Sequence, residues 1–149
     1  MNTLSRLAPA TARLLLGLVF FVFGLNGFLQ FLPTPPAPER AMAFMGALAA
    51  TGYMFPLIKG VEVVAGALLL SNRFVPLALA IVAPNVVNIV LLHSILAPGG
   101  LPVALLVLAL ELFTAWCYRD AFAPMLRKRT APRELSLKAA KGGAAHAVS

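Results

Sequence analysis

The sequence predicts an all-α integral membrane protein, built as an antiparallel four-helix transmembrane bundle with a short extracytoplasmic interfacial helix. The first observation is composition, because 60% of the 149 residues are hydrophobic and only 11% are charged, whereas soluble domains carry about 25% charged residues. The second is a run from Phe74 to Leu110 without Asp, Glu, Lys or Arg, which exceeds the roughly 20 apolar residues that cross a bilayer. The third is a set of proline-rich and glycine-rich breaks that divide the apolar sequence into helix-length segments.

Four apolar segments are predicted to cross the membrane. They lie at residues 13–32, 55–70, 74–97 and 101–118. Short turns at 71–73 and 98–100 join the last three segments, and short turns make consecutive helices antiparallel neighbours. The first segment could instead be a signal peptide with a cleavage site at Ala41-Met42-Ala43. Because the apolar cores of signal peptides run about 7–15 residues, a retained membrane helix is favoured.

The other segments lie outside the predicted spans. The prolines of 33–38 end the first helix, since proline lacks an amide donor and fixes its own φ. Residues 39–51 are rich in Ala and Met but too short to span, which indicates a helix that lies in the interface or caps the bundle. Residues 1–12 form a short N-terminal segment, and residues 119–149 form a basic tail that we expect to be partly disordered.

Lys and Arg predict the orientation. Positively charged residues are enriched on the cytoplasmic side of membrane proteins. If both termini are cytoplasmic, the extracytoplasmic side carries Arg40 and Lys59 alone. The cytoplasmic side then carries the other ten basic residues: Arg6, Arg13, Arg73, Arg119, Arg127, Lys128, Arg129, Arg133, Lys138 and Lys141.

Composition and motifs exclude several classes of function. The net charge of +7 lies at the chain ends and in one short loop, not in a stripe with interleaved aromatic residues as in nucleic-acid binding. The bilayer and its anionic headgroups are the expected partners. The single cysteine, Cys117, permits no intramolecular disulfide and no Cys-x-x-Cys chemistry. The sequence shows no metal-ligand cluster, phosphate-binding loop or dinucleotide motif, and it identifies no catalytic residue.

Polar residues inside the predicted spans mark the candidate site. A carboxylate in lipid is costly, so Glu62 and Glu111 should face protein or trapped water. Gly66 lies one turn after Glu62 and would leave space beside it. Each of the four spans contributes at least one polar side chain, which predicts an intramembrane polar pocket. Its candidate ligand-binding residues are Asn26, Lys59, Glu62, Asn85, Asn88, His93 and Glu111.

Each of these residues also has a structural interpretation. Lys59 could extend its ammonium to the headgroups. Asn85 and Asn88 could hold helices together through hydrogen bonds. His93 could be an interfacial histidine with its hydrogen bonds satisfied locally, and Asn26 a packing residue.

Two segments carry a family resemblance. They are RLLLGLVFFVFGLNGFLQFLP from Arg13 and PLIKGVEVVAGALLLSNRFVPLALAIVAPNVVNIVLLH from Pro56. Between Arg13 and Tyr118 the chain resembles the DoxX family of small four-span membrane proteins, and Glu62 matches the glutamate of that family's second helix. The resemblance implies a four-helix fold in a bacterial cytoplasmic (inner) membrane. Relatives include a subunit of a membrane thiosulfate–quinone oxidoreductase and other membrane partners of redox enzymes.

Three hypotheses about function follow. The first is a membrane subunit or accessory of a quinone-linked redox system that binds a small lipophilic molecule in the polar pocket. The second is a scaffold or assembly factor, whose basic tail docks a partner. The third is a small-solute transporter, which the oily cytoplasmic halves of the spans disfavour. No cofactor motif is evident, a quinone is the cofactor that the pocket would suit, and homo-oligomerisation stays open.

Overall fold

The computed structural model describes residues 3–33 and 36–128, and every regular element within them is helical. Its helices are α1 (Thr3–Leu29), α2 (Glu39–Ala50), α3 (Met54–Leu70), α4 (Val75–Ile95), α5 (Leu101–Cys117) and α6 (Arg119–Phe122), with a turn of 3-10 helix at Pro98–Gly100. The predicted bounds for α2 to α5 differ from these by no more than two residues. Of the basic tail, residues 129–149 lie outside the described residues.

The first helix differs from the predicted segment 13–32 at both ends. It starts at Thr3, because a charge such as Arg13 marks the edge of an apolar run and does not stop a helix whose neighbours are good helix formers. Its end at Leu29 precedes the prolines. Gln30 adopts a left-handed φ of 51°, and the Asn26 side-chain oxygen accepts a hydrogen bond of 2.7 Å from the Leu32 amide.

Three helices are long and apolar enough to cross a membrane: Leu7–Leu29, Val75–Ile95 and Pro98–Cys117. A fourth span is counted if α2 and α3, which meet at a bend of 94°, are taken together. Alone, α3 is about 26 Å long at 1.5 Å per residue, slightly short of the roughly 30 Å hydrocarbon core. Exposed leucines such as Leu18, Leu77 and Leu106 suit contact with lipid. These features are those of a membrane protein.

Helices α1 and α3 pack closely together and run antiparallel. Gly17 of α1 faces Leu69 near the end of α3, whereas Gly24, two turns later, faces Glu62 in its middle. From α3, Gly66 faces the backbone of α1, where an added Cβ would lie 2.8 Å from the Cα of Phe21. The glycines therefore let the two backbones approach, which is the main source of attraction between helices in lipid.

The other contacts join the remaining helices in pairs. Helix α4 packs on α3 and on α5, α5 also packs on α1, and α2 contacts α3. The buried apolar core along these contacts is formed by Leu16, Phe20, Ala65, Leu69, Val75, Ala78, Leu79, Val82, Val86 and Val107. It is continuous, so a polar group inside it has few partners.

Two side-chain hydrogen bonds define one end of the molecule. The Tyr118 hydroxyl, after α5, donates a hydrogen bond of 3.3 Å to the Asn72 side-chain oxygen in the α3–α4 turn, and Arg13 of α1 bonds to Leu69 at the end of α3. We call this the basic end, because Arg13, Arg73 and Arg119 lie there. The opposite end holds the start of α3 and the α4–α5 connection.

Candidate functional site

Lys59 and Glu62 form an ion pair on α3. The Lys59 Nζ lies 2.8 Å from the Glu62 Oε2, and their side chains are 17% and 5% exposed. The ammonium also lies 5.9 Å from the centre of the Phe55 ring, at the distance of a cation–π contact. Within the described ranges, residues 3–33 and 36–128, the structure contains no other ion pair. The charge of Glu62, at the middle of α3, is thus balanced within the protein.

Glycines of α1 shape the surroundings of this ion pair. A Cβ placed on Gly27 would lie 2.5 Å from the Cγ and Cδ of Lys59, and one on Gly24 would lie 3.0 Å from the Cβ of Glu62. The aliphatic part of Lys59 therefore rests on α1. The expected space beside Glu62 is absent, because Gly66 faces the Phe21 backbone instead. The ion pair is packed against α1, and neither Lys59 nor Glu62 lines either of the two grooves described below.

The structure separates the two asparagines of α4. The Asn85 side-chain amide donates a hydrogen bond of 3.4 Å to the Ile58 carbonyl oxygen, one helical turn before Glu62. Asn88 is exposed on the outer surface of α4. Asn85 thus joins α4 to the region of the ion pair, while Asn88 points away from any shared site. The three-residue spacing turns the second asparagine far enough around the helix to leave the interface.

His93 and Asn26 have local roles at the opposite end. The His93 Nδ1 lies 2.8 Å from the Ile89 carbonyl oxygen of the same helix, and Gly100 leaves room for its ring. Asn26 holds the chain after α1 through its bond to Leu32. These two residues therefore follow their structural interpretations and do not join the ion pair.

Glu111 lies in a different place from Glu62. It is 6% exposed and lines a groove of about 230 Å³ between α4, α5 and α6, with Leu79, Ala80, Ala83, Val87, Leu108, Leu112, Ala115 and Phe122. Its carboxyl makes no hydrogen bond or ion pair with any residue that the structure describes. It lies about 9 Å along α5 from the basic end, at 1.5 Å per residue. The two carboxyls that the sequence placed in one pocket therefore have separate surroundings, packed for Glu62 and open to a groove for Glu111.

A second groove, of about 320 Å³, runs between α3 and α4. Its lining is apolar: Pro56, Leu57, Gly60, Val61, Val64 and Ile81. Gly60 has no neighbour within 4 Å of where a Cβ would be. With no polar side chain in its wall, this groove offers no group that could orient a ligand.

Sequence reasoning missed the role of Arg13, which it treated as a flanking charge. Arg13 is 8% exposed, and its Nη1 donates a hydrogen bond to the Leu69 carbonyl oxygen of α3. The available signal was Gly17, one turn later, because a small residue there brings α3 close enough for the arginine to reach it.

Metal-ligand clusters and thiols are the remaining candidate features of the described part of the chain. No group of three or more His, Cys, Asp or Glu residues there could hold a metal ion. Cys117 is a half-buried free thiol. Comparisons with known protein families, curated proteins and solved structures find no match to this chain. The residues themselves therefore carry the functional argument.

Proposed function

We propose that this protein is a membrane subunit or accessory of a quinone-linked redox system that binds a small lipophilic molecule. The observation that carries the proposal is the Lys59–Glu62 ion pair, buried among apolar helices at a contact distance of 2.8 Å. Burying two charges costs free energy that their attraction does not always recover, and ionisable groups at membrane depth mostly serve function. The resemblance to the DoxX family supports the same conclusion.

The residues present suit the chemistry of a quinone. Its ring oxygens accept hydrogen bonds and gain protons on reduction, so a site needs donors and a group that exchanges protons. The donors are the Lys59 ammonium on α3, which bonds to Glu62, and the Asn85 amide on α4, which bonds to the carbonyl oxygen of Ile58. Glu62 is a carboxyl that can pass a proton. Asn88, exposed on the outer surface, and His93, bonded to its own helix, have no part in this proposal.

The proposal includes the arrangement in the membrane. We place α1, α3, α4 and α5 as an antiparallel four-helix transmembrane bundle in a bacterial inner membrane, with α2 in the extracytoplasmic interface. Both termini would be cytoplasmic, since Arg13, Arg73 and Arg119 mark the basic end. A fluorescent protein fused after residue 149 should fluoresce, and alkaline phosphatase at the same point should stay inactive. The reverse pair of results would invert the topology.

Lipid extraction tests the redox role. The protein, purified in mild detergent from its native membrane, should carry quinone in its extract, and added quinone should raise its melting temperature. The matched variant is Glu62→Gln, which keeps the size of the side chain and removes its charge, and it should carry less quinone. If the native protein carries none and shows no shift, the redox proposal loses its basis.

A scaffold is the second candidate function, and the surface of the basic end favours it. Met125 and Leu126 are 71% and 80% exposed and adjoin the exposed Arg127 and Lys128. A basic segment with free apolar side chains could bind a cytoplasmic protein or anionic lipid. Removal of residues 127–149 should release such a partner while the helices stay folded. Partner recovery that is the same with and without the segment would dismiss the scaffold.

A further inference from the structure

We propose that the groove beside Glu111 binds the ring of a small lipophilic molecule whose hydroxyl donates a hydrogen bond to the Glu111 carboxyl. A phenol or a quinol has this chemistry. The inference deepens the proposed function and rests on it only for the redox role of the ligand. It adds a ligand site in the open groove between α4, α5 and α6 to the packed ion pair of α3.

The state of the carboxyl is the first argument. Glu111 is 6% exposed, and no residue in the described ranges bonds to it, whereas Glu62 is held by Lys59. Thr114, the next polar residue on α5, donates its hydroxyl to the Leu110 carbonyl oxygen at 2.7 Å. The oxygens of Glu111 are not among buried atoms without a partner, so they are open to the groove that this residue lines, and a polar group that faces an apolar medium without a partner is costly. A bound donor would remove that cost.

The shape of the groove is the second argument. Its wall includes the small residues Ala80, Ala83 and Ala115, which leave room over the carboxyl, and Phe122 of α6 closes it toward the basic end. A volume of about 230 Å³ falls below the roughly 300–1,000 Å³ of pockets that enclose drug-sized ligands. One ring fits, and an attached aliphatic tail would lie outside the groove.

The direction of access is the third argument. Ala80, Val87 and Leu112 line the groove and are also exposed, so the groove opens sideways on the α4–α5 surface. In a membrane that surface meets acyl chains. A ligand would therefore enter from the bilayer, which selects lipophilic molecules.

The polar and apolar groups that line the groove restrict the chemical class of its ligand. Glu111 belongs to no group of three or more His, Cys, Asp or Glu residues within residues 3–33 and 36–128 that could hold a metal ion. An acyl chain could fill the groove but would leave the carboxyl without a donor. A neutral ring with a hydroxyl satisfies both the apolar wall and Glu111.

Photolabelling locates the site. The full-length protein in phosphatidylcholine nanodiscs is labelled with a photoreactive alkylphenol, and the modified residues are mapped by mass spectrometry. We expect the label on the groove residues, displaced by thymol at up to about a tenfold lower concentration than by thymol methyl ether, since one hydrogen bond is worth up to about that factor. Labelling spread over all lipid-facing helices, or equal competition by the ether, would overturn the inference.

Matched variants separate binding from folding. Ala83→Leu fills the groove and should abolish the label, whereas Ala109→Leu makes the same change at an exposed position outside the groove and should leave it intact. Glu111→Leu should equalise thymol and its ether. Equal labelling of both alanine variants would contradict the site.

The same preparations separate this inference from the proposed redox role. Quinone that copurifies undiminished with Glu111→Leu would refute the groove and leave the proposed function standing. Thymol-sensitive labelling of the groove in a protein that carries no quinone would support the groove and count against the redox role.

Discussion

The guanidinium of Arg13 donates a hydrogen bond to the backbone carbonyl oxygen of Leu69, and this contact joins α1 to the last turn of α3. Carbonyl groups at the end of a helix lack intrahelical donors and carry a partial negative charge. A buried cation at this position supplies both a donor and a compensating charge. Arg13 therefore fixes the position of two helices whose glycines pack a few residues further along.

Arg13→Ala should lower stability by about 1.5–3 kcal/mol, the contribution of a hydrogen bond to a charged group. The expected loss is read from the midpoint of denaturation in detergent. Arg73→Ala is the control, since it removes the same charge from an exposed position at the same end and should have little effect. Equal losses for the two variants would assign the effect to net charge and not to the Leu69 contact.

Gly66→Ala and Gly60→Ala make the same change on α3 with opposite surroundings. A Cβ on Gly66 would lie 2.8 Å from the Cα of Phe21, whereas one on Gly60 meets nothing within 4 Å. Overpacking costs about 1–3 kcal/mol, while alanine in a helix gains about 0.5–1 kcal/mol over glycine. In denaturation in detergent, Gly66→Ala should thus have a lower midpoint than the parent protein, and Gly60→Ala a midpoint that is no lower. Reversed midpoints would contradict the α1–α3 packing.

The ion pair of α3 should show strong coupling. Lys59→Met leaves the Glu62 charge buried and should cost about 3–5 kcal/mol. Glu62→Gln should cost less, because Lys59 is more exposed and can reach the headgroups. The double variant Lys59→Met, Glu62→Leu should recover most of the loss. A double-mutant cycle measures the coupling, and additive losses would show that the two charges act independently.

The two asparagines of α4 should respond differently to leucine. Asn85→Leu removes the bond to Ile58 and should cost about 0.6 kcal/mol, with an upper value of about 1.7, as for side-chain hydrogen bonds between membrane helices. Asn88→Leu, at an exposed position, should be neutral or stabilising. Both variants are compared by denaturation in detergent. A larger loss at Asn88 than at Asn85 would place Asn88 in an interface.

Much of the helical organisation could be predicted from local signals. The apolar runs and the turns at Ser71–Arg73 and Pro98–Gly100 give α3, α4 and α5 within about two residues, because both signals act over a few neighbouring positions. The start of α1 could not be predicted this way. Helix propensity continues past Arg13, while hydropathy changes there, and the two boundaries differ.

Which polar side chains share one pocket could not be predicted from such local signals. Depth in the membrane can be estimated from position along a helix, but the direction of a side chain depends on how that helix is rotated against its neighbours. Asn85 and Asn88, three residues apart, fall on an interface and on an outer surface. Glu62 and Glu111 lie on helices that present them to different surroundings.

The sequence by itself determined an all-helical chain with helices long and apolar enough to cross a membrane, and it identified each ionisable group at depth, because hydropathy and turn chemistry are local. Only the tertiary structure decided which of those groups meet. The glycines of α1 and α3 set the rotation of that pair, which encloses Lys59 and Glu62, whereas the packing of α5 with α4 and α6 leaves Glu111 open to a groove. Rotation depends on contacts between residues that are distant in the chain, and no single segment carries that information.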